Sequence, residues 1–309
     1  MSNSISSPMV FKNFKTFHYT LAGRPLVVET GKLAGLANGS CLVRYGDTAV
    51  LCCATASEKP RDGIDFLPLS VDFDERMYAA GKIPGGYLRR EGRPPEKAIL
   101  TSRVIDRPIR PLFPKDLRND VALTLTVMSY DPDCSPEITA MIGASIALSI
   151  SDIPWNGPIS GVFMGLVDGK LVVNPTEAQR AVSDLELTVA SSMKKVVMIE
   201  AGANEVEDDL MFDAIMLAHK ENQGVLEFIN AIVDEIGKTK FEYPSCELDH
   251  DMFDKIFAFC EKDVMVALDT DDKTVRDARM FPIKEAILAN FSEEYPDLPT
   301  MMEELVYKI

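Results

Sequence analysis

The sequence predicts an α+β domain followed by a small all-α domain. Short strand patterns separated by turn residues run from Phe17 to Glu200 and are interrupted by two helical stretches. After the linker-like stretch Lys238–Pro244, glycine, proline and strand signals become scarce. A chain of 309 residues is long enough to bury two cores. We therefore expect the two domains to span residues 1–242 and 243–309.

The first domain opens with strands, and Gly46-Asp47 predicts a hairpin turn between two apolar runs. Residues 74–97 carry four glycines and three prolines among charged side chains, a composition that indicates a long loop. A helix is expected over 97–109, ended by Pro108 and Pro111 because proline lacks the backbone N–H that a helix needs.

A strand pattern at 121–130 leads to Ser135, which is expected to cap a helix over Ile138–Ile150. Small residues in that helix predict close packing on a sheet. Asp168-Gly169 indicates a second hairpin. The remaining predicted elements are strands at 184–190 and 195–200, helices at 205–220 and 225–237, and second-domain helices at 249–268, 271–291 and 297–308.

Composition excludes several classes of protein. No window reaches the roughly 18 apolar residues of a membrane span, and the first residues lack the apolar core of a signal peptide, so we expect a cytoplasmic protein. The six cysteines have no metal-site spacing, which argues against zinc and against a disulfide framework. Most of them are expected to be small core residues: Cys41, Cys52, Cys53, Cys134, Cys246 and Cys260.

Charge is distributed unevenly. The formal net charge of −16 argues against nucleic-acid binding, which relies on lysine and arginine. Residues 76–118, however, contain eleven basic and four acidic side chains, a net charge of +7. This local excess of positive charge makes an anionic partner plausible for that segment.

The same segment carries a family resemblance. The words Tyr78-Ala-Ala-Gly-Lys-Ile-Pro-Gly-Gly-Tyr-Leu-Arg-Arg-Glu-Gly-Arg-Pro and Arg107-Pro-Ile-Arg-Pro-Leu-Phe-Pro are similar to the first RNase PH-type repeat of the polynucleotide phosphorylase (polyribonucleotide nucleotidyltransferase) family. So are Met141-Ile-Gly-Ala-Ser-Ile-Ala-Leu-Ser and Ile153-Pro-Trp-Asn-Gly-Pro-Ile. The resemblance is collinear from about residue 17 to the end, where residues 243–309 match the family's all-helical domain.

This resemblance implies an RNase PH-like fold of the ribosomal-protein βαβ type. It also implies part of a 3′-to-5′ phosphorolytic exoribonuclease in mRNA degradation, a homotrimeric ring through whose pore single-stranded RNA passes. Inorganic phosphate is the family's co-substrate and Mg²⁺ its metal. A second RNase PH-like repeat and the KH and OB-fold domains are expected outside these 309 residues, and other RNA-degradation proteins are conceivable partners.

The resemblance assigns RNA contacts to one loop. Arg89 and Arg90, with Tyr87, match the family's pore loop, in which guanidinium groups hold phosphates and a ring stacks on bases. Leu88 stands where a second aromatic is usual. The alternative is a pair of solvated arginines. Four further arginines either line the RNA path or form ion pairs within the chain: Arg93, Arg103, Arg107 and Arg110.

The residues that match the family's catalytic positions argue against a working site. The helix that should bind phosphate begins Cys134-Ser135-Pro136-Glu137, which combines a missing N–H with a carboxylate. The later cluster offers Arg180, Asp184, Glu186 and Thr188, of which Asp184 and Glu186 either bind a weak cation or simply face solvent. We expect no catalytic and no metal-binding residue in this chain, and catalysis in the missing second repeat.

Two other functions compete with this interpretation. One is a catalytically inactive RNA-binding or structural ring subunit. The other is a free-standing single-repeat phosphorylase, which the Cys-Ser-Pro-Glu helix start disfavours.

Overall fold

The structure is a computed structural model that describes residues 11–61, 64, 66–243, 250–296 and 298–309. Within these residues the chain forms ten strands and seven α-helices. The strands are β1 Lys15–Leu21, β2 Arg24–Thr30, β3 Gly39–Tyr45, β4 Thr48–Pro60, β5 Leu69–Asp74, β6 Asn119–Ser129, β7 Ser160–Val167, β8 Lys170–Val173, β9 Leu185–Ser191 and β10 Val196–Ala203. The helices are α1 Glu96–Ile109, α2 Pro136–Ile150, α3 Glu177–Arg180, α4 Asp208–Ile236, α5 His250–Leu268, α6 Lys273–Phe291 and α7 Leu298–Lys308.

The strands form two sheets, one mixed and one antiparallel. The six-stranded sheet has the order β1-β2-β3-β4-β6-β5, in which β5 and β6 are parallel. The four-stranded sheet has the order β10-β9-β7-β8 and its described pairs are antiparallel. Both predicted hairpins are confirmed, since Tyr45 pairs with Thr48 and Val167 with Lys170. This arrangement is the predicted α+β class.

Helix α2 is the centre of the first core. Every residue of α2 except Glu137 is buried, and the helix contacts β3 of one sheet and β7 of the other. A side chain added at Gly143 would overlap the thiol of Cys52, and one added at Gly161 of β7 would overlap the sulfur of Met141. The predicted close packing of this helix therefore holds against both sheets.

One helix ends where the sequence predicts, and another region differs from the prediction. Pro108 lies inside α1, which ends at Ile109 before a 3₁₀ turn at Arg110–Leu112. Pro108 stands one residue before the end of α1, so its missing N–H removes a single hydrogen bond and the helix ends there, as predicted. The two helices predicted at 205–220 and 225–237 are one helix, α4, which continues through Gly224, and a side chain added there would overlap the Tyr19 hydroxyl.

The chain divides into two compact units. The first comprises the residues up to Glu58, Pro68–Pro114 and Asp120–Glu242, and the second comprises Lys59–Leu67, Lys115–Asn119 and Tyr243–Ile309. The predicted boundary at residue 243 assigned Lys59–Leu67 and Lys115–Asn119 to the first domain. Long-range contacts place them in the second unit, such as the 2.9 Å hydrogen bonds from Tyr243 Oη to Asp116 Oδ1 and from Arg61 N to Arg118 O. Cys246 and the linker end at Pro244 lie outside the described residues.

The second unit has its own apolar core. Helices α5, α6 and α7 bury one face each, which gives this unit the all-helical character expected from the sequence. The fully or largely buried side chains are Met252, Ile256, Cys260, Val264, Ala267, Met280, Ile287, Leu298, Met302 and Leu305.

Candidate nucleic-acid interface

The Tyr87-Leu88-Arg89-Arg90 motif lies at the tip of the long loop. Arg89 N donates to Gly86 O at 3.0 Å, which closes a tight turn with Tyr87 and Leu88 at its apex. Tyr87 is 99% and Leu88 75% exposed, and both arginines are exposed. Arg89 adopts a left-handed φ of 50°, which is uncommon for a residue with a side chain. We call residues 86–90 the arginine turn.

The base of the loop is held by hydrogen bonds to neighbouring segments. Glu91 Oε1 accepts a hydrogen bond from Met77 N at 3.0 Å, at the start of a 3₁₀ turn over Met77–Ala80. Tyr130 N donates to Ala79 O at 3.1 Å, which ties this turn to the end of β6. Sequence reasoning did not single out Glu91. Its signal was present, because it is the only acid between Arg76 and Arg93.

A shallow groove of about 430 Å³ runs beside the arginine turn. Its rim combines basic and largely apolar side chains with one carboxylate, namely Arg76, Tyr78, Lys82, Ile83, Pro84, Arg89, Arg90 and Glu91. The Arg76 guanidinium is bound to Asp74 at 2.8 Å. Within the described part of the chain, the side chains of Arg89 and Arg90 make no such pair, so their donors are available to an external anion.

The other candidate arginines fall into two groups. Arg107 pairs with Glu200 of β10 at 3.2 Å, and Arg110 pairs with Asp106 at 2.8 Å and donates to Leu69 O. Arg93 and Arg103 are exposed, and their guanidinium groups contact no carboxylate among the described residues. The ion-pair alternative therefore describes Arg107 and Arg110, whereas Arg93 and Arg103 remain available.

The start of α2 is filled by the protein itself. Ser135 Oγ accepts from Ile138 N, Pro136 has no N–H, and Glu137 Oε1 lies 3.6 Å from Lys97 Nζ. Thr101 Oγ1 also donates to Glu137. An anion at this helix start would meet a carboxylate and a capped N–H instead of free donors.

The preceding residue is equally unsuited to chemistry. Cys134 is 1% exposed, and burial together with the adjacent Asp131 carboxylate raises the pKa of its thiol to about 11. A thiol with so high a pKa is a poor nucleophile near neutral pH.

The later acidic positions form no evident metal centre. The Arg180 guanidinium donates to Pro132 O, while Asp184 and Glu186 are exposed at the start of β9. Among the described residues, no group of three or more His, Cys, Asp or Glu side chains could hold a metal ion. Asp184 and Glu186 are therefore the two carboxylates that this cluster offers, and the Arg180 side chain is engaged with a backbone carbonyl.

None of the described helices is both long enough and apolar enough to cross a membrane.

Sequence comparison finds the 3′ exoribonuclease family, with its domain 1 at residues 22–154 and its domain 2 at residues 157–221. Together these matches cover most of the first unit.

Individual relatives share more than half of their aligned residues with this chain. A polyribonucleotide nucleotidyltransferase of Ruminiclostridium cellulolyticum is 57% identical over 296 residues, and that of Lachnoclostridium phytofermentans is 55% identical. Each match covers 96% of this chain and 42% of the relative, so the chain spans less than half of these proteins.

A solved structure supports the fold independently of sequence. Rice (Oryza sativa) Rrp46 superposes with a TM-score of 0.54 at 13% identity, covering 74% of this chain and 97% of the rice protein. From the two family matches and the relatives, the chain belongs to the 3′ exoribonuclease (RNase PH) family and resembles the N-terminal part of the polyribonucleotide nucleotidyltransferases.

Proposed function

We propose that this chain is the RNA-guiding and ring-forming part of a 3′-to-5′ phosphorolytic exoribonuclease that acts in mRNA degradation. The observation that carries the proposal is the arginine turn, where an exposed tyrosine and two guanidinium groups that pair with no carboxylate among the described residues share one tight turn. Guanidinium groups bind phosphate oxygens, and a phenol ring stacks on any base. Such a surface suits single-stranded RNA of any sequence.

The rest of the loop supports the same function. Its base is held by Glu91 and by β6, so the turn is displayed on a fixed support. Arg93 and Arg103 are exposed arginines of the same basic segment, whereas Arg107 and Arg110 are engaged with carboxylates. We infer that RNA contacts Arg93 and Arg103 more strongly than Arg107 and Arg110.

Catalysis belongs to another part of the protein in this proposal. Inorganic phosphate as nucleophile needs free donors, and the start of α2 presents Pro136 and Glu137. Because the matching positions carry Arg180 and Thr188 beside only two carboxylates, we assign no metal-dependent step to this chain. The chain by itself is inactive, and phosphate, Mg²⁺ and the reacting RNA end are handled by the second repeat of the full-length protein.

The proposal includes a homotrimer in the cytoplasm. The large apolar side chains left exposed on the first unit, among them Phe212 and Ile199, support the trimer. Sedimentation equilibrium of the purified chain tests this point directly.

The α2 start also favours a second candidate, a catalytically inactive RNA-binding or structural ring subunit. The two functions differ in whether a second repeat acts with this chain. Phosphorolysis by the full-length protein, lost when the second repeat is removed, supports the first function.

The RNA-guiding role is tested with the double variant Arg89→Ala/Arg90→Ala. We expect weaker binding of poly(A) and poly(U) alike, and a salt dependence flattened by roughly one to two units of slope. Lys194→Ala/Lys195→Ala is the matched control, because it removes two adjacent exposed charges from the turn between β9 and β10. Equal losses in both double variants, or unchanged affinity at low salt, would refute the assignment.

A further inference from the structure

A second basic site lies in the first unit, away from the arginine turn. A cavity of about 480 Å³ is lined by the segment before β1, the loop after β2 and the C-terminal ends of α2 and α4. Four lysines line it, Lys12, Lys15, Lys32 and Lys238, and none of its described lining residues is acidic. We call it the lysine cavity. In a chain of net charge −16 these four lysines are a local excess of basic side chains.

Two of these lysines already have partners. Lys15 Nζ pairs with Glu235 at 2.8 Å, and Lys238 Nζ donates to Asn38 O at 2.6 Å. The other two contact no carboxylate within the described residues. Lys32 Nζ lies 5.8 and 5.6 Å from the ring centres of Phe11 and Phe14, and Lys12 contacts neither an acid nor a ring there.

Neutralising helix ends does not account for this pair. Lysines near a helix C-terminus often satisfy its last carbonyls. Here Lys240 performs that task, because its Nζ donates to Leu148 O, Ser149 O and Ser151 O at 3.1, 3.0 and 2.7 Å. The carbonyls at the end of α2 therefore do not account for the positive charges of Lys12 and Lys32.

The shape of the cavity suits a small molecule. Its volume falls within the range of about 300–1,000 Å³ that is usual for ligand sites. Its wall includes a loop of small residues, and a side chain added at Gly35 would meet no atom within 4 Å. Phe11 and Phe14, about two-fifths exposed, offer flat apolar surface beside the Lys32 ammonium.

We propose that the lysine cavity binds a small ligand that carries a di- or triphosphate group. Lysine binds phosphate as a point charge, and several lysines with no lining carboxylate favour a multiply charged group over a single one. A nucleotide and an inorganic polyphosphate share this chemistry. The inference is independent of the proposed function, because it involves no residue of the arginine turn.

Isothermal titration of the 309-residue chain with ADP and with sodium tripolyphosphate, at 0.1 M salt, tests the proposal. We expect one saturable site. Lys12→Gln/Lys32→Gln should weaken binding by about tenfold or more, since each removes a charged contact. Gly35→Asp should weaken it too, because it adds a negative charge where the fold has room. Circular dichroism checks that both variants fold.

Two controls locate the site. Lys194→Gln/Lys195→Gln removes the same charge elsewhere and should leave the affinity unchanged, as should Arg89→Ala/Arg90→Ala. Binding of ADP identifies a nucleotide, and binding of tripolyphosphate alone identifies an inorganic ligand. The proposal is overturned if neither probe saturates one site, if the control pair weakens binding equally, or if only the arginine-turn variant weakens it.

Discussion

The Lys97 ammonium lies 3.6 Å from the Glu137 carboxylate and joins the first turn of α1 to the first turn of α2. Glu137 is the one residue of α2 that is not buried. The ion pair is largely exposed, so it contributes little stability. Its consequence is chemical, because it leaves a carboxylate at the helix start where a phosphate would have to bind.

The first prediction follows from this pair. The purified 309-residue chain, incubated with 3′-labelled RNA, Mg²⁺ and inorganic phosphate, should release no nucleoside diphosphate above background. Phosphorolysis needs a positioned phosphate and a group that takes up charge on the leaving oxygen, and each ~1.4 kcal/mol of lost barrier lowering is a factor of ten in rate. Robust release that Asp184→Ala/Glu186→Ala abolishes would show a working site here.

The second prediction concerns stacking at the arginine turn. Tyr87→Ala should weaken binding of single-stranded RNA by roughly tenfold, since a base–aromatic stack is worth about 1–3 kcal/mol. Leu88→Phe should strengthen it, because it supplies a second ring at a position that is 75% exposed. Fluorescence anisotropy with a labelled oligonucleotide measures both. Val182→Ala, at an exposed position outside the loop, is the control, and a loss of similar size there would argue against stacking.

The third prediction separates paired from unpaired arginines. Arg103→Gln should reduce RNA affinity more than Arg107→Gln, because Glu200 already neutralises Arg107. Glu200→Gln should raise RNA affinity by freeing that guanidinium. Salt-dependent binding curves of the three variants provide the measurement. If Arg107→Gln is the more damaging and Glu200→Gln has no effect, RNA does not follow this surface.

The fourth prediction concerns stability. Lys240→Met should lower the free energy of unfolding by about 2–3 kcal/mol, because it leaves three carbonyls at the end of α2 without their charged donor. Lys170→Met, at an exposed position in β8, should change it by less than about 0.5 kcal/mol. Urea denaturation measures both. Equal stabilities of the two variants would mean that water replaces the ammonium at no cost.

The fifth prediction is a pH dependence. Burial and Asp131 raise the pKa of Cys134 to about 11 from the 9.0 of a free thiol, so the folded chain holds this proton more tightly than the unfolded chain. Its contribution to stability is complete below pH 9 and is lost as the pH rises towards 11, by about 1–2 kcal/mol. Cys134→Ala should therefore lose less stability than the parent between pH 8 and pH 10.5. Urea denaturation at each pH measures the free energy of unfolding. If it falls with pH by the same amount in Cys134→Ala and in the parent, the raised pKa of Cys134 is contradicted.

Local chemistry alone determined much of the fold. Gly46-Asp47 and Asp168-Gly169 specify tight turns whatever surrounds them, and Ser135 with Pro136 specifies a helix start. The sequence motifs on either side of Tyr87–Arg90 likewise identified the loop and the family. These features depend on neighbours in sequence, which is why they can be predicted without a structure.

Tertiary contacts decided the rest. Tyr19 leaves no room for a side chain at Gly224 in the middle of α4, and no local signal predicts that contact. Arg103 and Arg107 are indistinguishable in sequence, yet Glu200, 93 residues further on, neutralises only the second. The lysine cavity joins residues from both ends of the first unit. Charge pairing and cavity shape depend on distances through space, and only the folded chain sets those distances.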